Sequence, residues 1–202
     1  MLVKEKFFNK KLSKKKIIFK IILIFFTSIN IAFADLQKEI INKLEATKTL
    51  SFDFNQKISE KEESGKCFIK YPLLMKCNYN NIKKKVIISN GRTVAIIKKK
   101  YKKIYYYPLK TTPLYTILQK KEILNLIKKN KPQFLESNFI SFEAINKNGK
   151  KLKILFDEKT LEFRGWKTTD AYSNNVSFLI NNLKINNIIE NSFFKIPKEE
   201  DL

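Results

Sequence analysis

Gly65-Lys66-Cys67-Phe68-Ile69-Lys70-Tyr71-Pro72-Leu73-Leu74-Met75-Lys76-Cys77-Asn78-Tyr79 is the stretch on which the fold turns. Cys67, Ile69 and Tyr71 fall on one face before Pro72. Met75, Cys77 and Tyr79 fall on one face after it. Alternation with period two is the pattern of half-buried strands. Proline cannot donate to a ladder, so Pro72 separates two strands rather than lying within one.

The same period runs outward in both directions. Upstream, Leu50, Phe52 and Phe54 point one way, and Ser51, Asp53 and Asn55 the other. Before them, 35–47 reads as one amphipathic helix, with Leu36, Ile40, Ile41 and Leu44 on a single side. Downstream, Asn90-Gly91 sits between apolar runs at 86–89 and 93–97, a strong hairpin signal of the primed type. Asn148-Gly149 separates 139–145 from 152–156. Strands at 161–166, 176–180 and 183–189 follow. The expectation is a mainly β chain of the α+β class, with about nine to eleven short antiparallel strands. One interruption is helical: Thr112-Pro113-Leu114-Tyr115-Thr116-Ile117-Leu118 begins with a cap residue and a proline, and 122–129 continues it.

The first 34 residues have a different character. Seven lysines precede an apolar run from Ile17 to Phe26 that only Lys20 breaks. The segment closes on Ala32-Phe33-Ala34, with small residues where a signal peptidase reads. Residues 1–34 are therefore expected to be a cleaved secretory signal, and 35–202 a single domain outside the cytoplasm. The run is too short and interrupted for a membrane span. No cysteine precedes Cys67, so a lipid-anchored form is not expected.

The whole chain carries a net +22. The leader holds eight Lys and one Glu, a net +7, and 22 minus 7 leaves +15 for the remainder. Nucleic acid is nevertheless not the expected partner. Only two of the 41 basic residues are arginine, Arg92 and Arg164, and bidentate phosphate contacts favour arginine. A basic surface still suits anionic lipid headgroups or an acidic partner. Cys67 and Cys77 are ten residues apart, which suggests a disulfide in an oxidising compartment; two buried thiols are the other reading.

Several chemistries lack their residues. The chain has no histidine, which removes Ser-His-Asp and Cys-His catalysis and most zinc sites. Its four glycines form no phosphate-cradling motif. Glu60, Glu62 and Glu63 read as a solvated loop rather than a metal cluster. Neither an enzyme, a metal nor a cofactor is expected. What the chain has in excess is apolar surface, with 17 Phe, 8 Tyr and one Trp. A sheet of this length must close into a barrel or curve around something. A curved sheet loosely covered by helices is a fitting site for acyl chains.

At this point the ordered motifs resemble the LolA family of periplasmic lipoprotein carriers. Leu50-Ser51-Phe52-Asp53-Phe54-Asn55-Gln56 is similar to its aromatic pair ending in Gln. Gly65 to Pro72 resembles its strand ending in basic-x-Pro, and Ser89-Asn90-Gly91-Arg92-Thr93 its Ser-Asp-Gly-Lys-Thr turn. Tyr107-Pro108-Leu109 and Thr112-Pro113-Leu114 resemble the approach to its lid helix. Asn191-Ser192-Phe193-Phe194-Lys195-Ile196-Pro197 resembles its closing Phe-x-Pro.

The resemblance implies an incomplete antiparallel barrel whose helices cover an apolar cavity. It implies a chaperone that takes lipoproteins by their acyl chains from an inner-membrane ABC transporter and passes them to an outer-membrane acceptor. No nucleic acid takes part, and the carrier is expected to be a monomer. The rivals are a lipid or lipoprotein sensor of the same fold, or a periplasmic hydrolase. The expected cavity wall is Phe52, Phe54, Ile69, Tyr71, Met75 and Tyr79. The expected lid is Pro113, Leu114, Ile117 and Leu118. The family often has Arg where this chain has Tyr71, and Tyr71 is expected to contact the 113–118 helix. If the turn centres on Pro72, residues whose numbers sum to 144 face each other, which sets Cys67 opposite Cys77 for a cross-strand bridge.

Overall fold

The computed structural model describes residues 35–145, 151–170 and 173–202. The leader and the Asn148-Gly149 turn lie outside them. Helix α1 covers 35–46, and its Ile40 and Leu44 are buried. Six strands follow: β1 Thr49–Ile58, β2 Lys61–Lys70, β3 Leu74–Tyr79, β4 Lys85–Asn90, β5 Thr93–Lys98 and β6 Lys103–Pro108. Helices α2 Leu114–Leu118 and α3 Lys120–Lys129 come next. Five more strands complete the chain: β7 Gln133–Leu135, β8 Phe139–Ile145, β9 Lys151–Asp157, β10 Phe163–Thr169 and β11 Asn175–Ile185.

All eleven strands form one sheet in the order β6-β5-β4-β3-β2-β1-β11-β10-β9-β8-β7. Every adjacent pair is antiparallel. The edges β6 and β7 do not pair, so the sheet stays open rather than closing into a barrel. The two helices are inserted in the chain between those edges.

The register follows the alternation. Across β2 and β3 the pairs Gly65–Tyr79, Cys67–Cys77 and Ile69–Met75 each sum to 144, centring the turn on Pro72. The Tyr71-Pro72 peptide in that turn is cis. The β4–β5 connection is the two-residue loop Gly91-Arg92, with Gly91 at φ +96°. The Asn90 side chain there accepts the N–H groups of Arg92 and Thr93 at 3.1 and 3.0 Å.

Because opposite residues share a face, the register divides the sheet into two sides. The inner side carries Leu50, Phe52, Phe54, Ile69, Met75 and Tyr79, all buried. The outer side of β4–β6 carries a second apolar cluster of Val86, Ile88, Ala95, Ile97 and Ile104. The C-terminal segment covers it: Ile196 and Leu202 pack on the cluster, and Phe193 meets Phe68 edge-on at 5.0 Å. Lys70 and Lys76 fasten the segment by donating to the carbonyls of Ile189 and Phe193.

Three expectations change. The runs at 176–180 and 183–189 are one strand, β11, ending at Ile185; Asn182 (φ +51°) makes a bulge where a break was expected. Leu161 belongs to the turn before β10 rather than the strand. Glu62 and Glu63 lie in β2, not in a loop. Glu63 is largely buried and paired with Lys85, whereas Glu60 and Glu62 sit in water near Lys57.

Candidate functional site

The inner face carries an aromatic wall. The Tyr79 ring meets Phe54 at 4.9 Å, and Phe54 stacks on Phe178 at 4.6 Å. Phe178 stacks on Trp166 at 4.1 Å, and Trp166 lies parallel to Phe163 at 6.2 Å. Phe163 leads to Phe156, and Phe156 to Phe142, at 6.0 and 5.9 Å. The rings run from β3 across β1, β11, β10 and β9 to β8. Offset and edge-on ring pairs each contribute about 0.5–1.5 kcal/mol beyond area burial.

Two glycines let the rings meet. Gly65 lies between Phe54 and Tyr79; a Cβ there would fall 2.0 Å from the Asn78 carbonyl and 2.9 Å from the Phe54 ring. Gly165 has φ +131°, and its Cβ would fall 2.0 Å from the Phe178 carbonyl. The ladder shifts register between Phe163 and Gly165. Parity alone sends Phe163 and Trp166 to opposite faces; the bulge brings both rings inward.

Helices α2 and α3 turn their apolar side to the protein interior. Ile117, Leu118, Ile123 and Ile127 are fully buried, and α3 packs on β8. The end of α2 is tied to the sheet through backbone: the Leu73 N–H donates to the Leu118 carbonyl at 2.9 Å. Lys120 donates to the Glu45 carbonyl at 3.1 Å, linking α3 to the end of α1.

Of the expected wall, Phe52, Phe54, Ile69, Met75 and Tyr79 lie together and buried on the inner face. Tyr71 differs. Its ring is only partly covered, but its hydroxyl oxygen is buried without a hydrogen-bond partner. Burial pushes that hydroxyl's pKa up. The ring faces the Lys120 ammonium at 5.3 Å. Among the expected lid residues, Ile117 and Leu118 are buried and Pro113 and Leu114 are not. The tie to the 113–118 helix comes from Leu73, which the sequence did not single out. Cys67 and Cys77 face each other with Cα atoms 4.0 Å apart and form a disulfide.

A polar network closes one end of the wall. The Tyr79 hydroxyl donates to Gln56 at 2.8 Å, and the Lys85 ammonium sits 3.7 Å over the Tyr79 ring. Lys85 and the Asn81 amide both donate to Glu63. Burial alone would raise the Glu63 pKa, but Lys85, Lys61 and Asn81 outweigh it and hold the carboxyl below its ordinary value.

An apolar pocket lies elsewhere on the inner face. Of about 230 Å³, it is lined mainly by apolar residues, among them Leu44, Leu50, Phe156, Leu161, Phe163 and Ile185. None of the ten expected wall and lid residues lines it. It joins the aromatic wall at Phe156 and Phe163. Its volume falls below the roughly 300–1,000 Å³ usual for small-molecule sites. Among the described residues no helix is long and apolar enough to cross a membrane.

Several solved structures are similar to this chain. An uncharacterized conserved protein from Thermus thermophilus is similar at TM-score 0.50 and 8% identity, over 82% of this chain and 94% of that one. A LolA superfamily protein from Nitrosomonas europaea is similar at TM-score 0.43 and 7% identity, over 79% and 97%. A putative outer membrane lipoprotein-sorting protein domain from Vibrio parahaemolyticus is similar at TM-score 0.42 and 9% identity, over 77% and 94%. No curated protein matches the chain in sequence. Residues 45–197 match the family described as outer membrane lipoprotein carrier protein LolA, and the chain belongs to that family.

Proposed function

We propose that this chain is a periplasmic lipoprotein carrier. It holds acyl chains against the aromatic inner wall, takes its load from an inner-membrane ABC transporter and delivers it to an acceptor at the outer membrane. The observation that carries the reading is the burial of Ile117, Leu118, Ile123 and Ile127 on two short helices, the second of which packs on β8, the strand that carries Phe142 at the end of that wall. These side chains occupy the space that a ligand needs. An acyl chain in water costs about 0.8 kcal/mol for each methylene that burial would shelter. A carrier must offset most of that cost and still let go. A helical lid that competes for the same wall meets both demands: it fills the site when empty and makes binding reversible.

The apolar pocket beside the wall is too small for a lipid, and on this reading α2 and α3 move to admit one. Leu73–Leu118 is the contact such a motion breaks first. The leader places the chain in the same compartment as its cargo. Cys67–Cys77 stiffens the wall beside the moving part. The test is release from spheroplasts that display an acylated lipoprotein and a non-acylated version of it. Added carrier brings the acylated form alone into the soluble fraction, as a complex with itself. Release of both forms, or of neither, contradicts the reading.

A further inference from the structure

The β3–β4 and β5–β6 turns lie at the same end of the sheet and touch, the Lys100 N–H donating to the Lys83 carbonyl at 3.4 Å. Together they carry Lys83, Lys84, Lys99, Lys100, Lys102 and Lys103, all exposed. Among the described residues no salt bridge engages any of the six. Three acidic side chains that could offset these lysines have partners of their own. Glu63 holds Lys85, Glu199 accepts the Ile104 N–H at 3.0 Å, and Lys198 holds Glu200.

Two large apolar residues stand among these lysines. Ile82 is 84% exposed and Tyr101 52% exposed. Neither serves the core, and the Ile82 turn is pinned in place. The Asn81 side chain accepts the Lys85 N–H at 3.1 Å and donates to Glu63 at 3.0 Å, and the Lys84 N–H returns to the Asn81 carbonyl at 2.9 Å. The fold therefore holds an isoleucine out in water inside a ring of unpaired positive charge.

We propose that these two turns dock on an anionic bilayer surface, with the lysines against lipid headgroups and Ile82 and Tyr101 entering the interface. Each Lys near such a surface strengthens binding, and a tyrosine ring suits the headgroup level. An acidic protein or a nucleic acid would satisfy the charge but leaves Ile82 without a role. The proposal goes beyond the carrier reading and stands without it, because none of the eight docking residues belongs to the aromatic wall or to its helices.

The test uses the chain expressed with its own leader and purified without detergent. Co-sedimentation is measured with vesicles of phosphatidylethanolamine and phosphatidylglycerol, and with vesicles of phosphatidylcholine alone. Binding to the anionic vesicles is expected to be at least about tenfold tighter and to weaken as salt rises. Reversing Lys83, Lys84, Lys99 and Lys100 to Glu removes that preference, and Ile82→Ser with Tyr101→Ser weakens binding at fixed charge. Reversing four exposed lysines elsewhere (Lys131, Lys159, Lys167 and Lys184) has a much smaller effect, with all variants melting as the parent does. Equal loss from both sets of reversals would mean bulk attraction and overturns the proposal. So does equal binding to both vesicle types, binding to neither, or capture by polyglutamate or DNA alone.

Discussion

The backbone N–H of Leu73, in the turn that joins β2 to β3, donates to the carbonyl of Leu118 at the end of α2 at 2.9 Å. One main-chain hydrogen bond thus links the helical cover to the β2–β3 turn. Such a bond contributes only about 0.5–1.5 kcal/mol net. The cover is held mainly by apolar burial, the same force that an acyl chain exploits. Ile117→Glu buries a carboxylate at a fully covered position. It is expected to abolish acyl-chain uptake while secretion and solubility fall less. Equal losses in uptake and soluble yield would point to misfolding instead.

Tyr71 tests how the cover is secured. Its hydroxyl is buried and unpartnered, and such a group costs about 1–3 kcal/mol. Tyr71→Phe is expected to raise stability to urea by about 1 kcal/mol and to leave uptake unchanged. A clear loss of stability would show that the hydroxyl has a partner, such as an ordered water.

Gly65 sits where the Phe54 and Tyr79 rings close over the backbone. Gly65→Ala drives a methyl into the Asn78 carbonyl, 2.0 Å away. Overpacking of this kind costs about 1–3 kcal/mol, and the rigid backbone on one side favours the upper end. Urea unfolding checks it. A change below about 0.5 kcal/mol would mean that β2 and β3 can part without penalty.

The Glu63–Lys85 pair gives a pH dependence whose sign is fixed. The Glu63 pKa is lowered in the folded state from its ordinary 4.5. The stability it contributes is present above that value and is lost as pH falls through the lower, folded one. Glu63→Gln is expected to be less stable than the parent at neutral pH, with the gap narrowing on acidification below about 4.5. A gap that stays constant down to pH 3 would exclude the linkage. Asp157 shifts the same way, chiefly through the Thr160 backbone N–H, and persists in both proteins as a common background.

The cysteines allow a direct covalent test. Mass mapping without reductant is expected to recover the Cys67 and Cys77 peptides joined. A loop this short confers about 2–3 kcal/mol on the bridge, so reduction should lower the urea midpoint without abolishing folding. Two free thiols in native protein would reject the bridge.

Much of this arrangement is legible in the sequence, for identifiable reasons. Period two around Pro72 fixed the β2–β3 register residue by residue, because a slip of one would turn Ile69 and Met75 into water. Pro113 marked the start of the helical cover. The second half of the wall was harder to read. Phe163 and Trp166 differ in parity, and only the bulge at Gly165 puts both inside. Asn182 resembles a break and is instead a bulge within β11. Glu63 looked solvated because its partner, Lys85, lies 22 residues away and two strands across. The Leu73–Leu118 tie is a backbone bond, and no side-chain pattern announces it.

The central claim is that the inner wall holds acyl chains under a movable helical cover. The most direct test is native mass spectrometry of the chain isolated from periplasmic extract without detergent. The account predicts a fraction whose added mass is an intact acylated lipoprotein, lost in Ile117→Glu. A chain recovered empty from cells that export abundant lipoproteins, or one carrying non-acylated protein equally well, would contradict it.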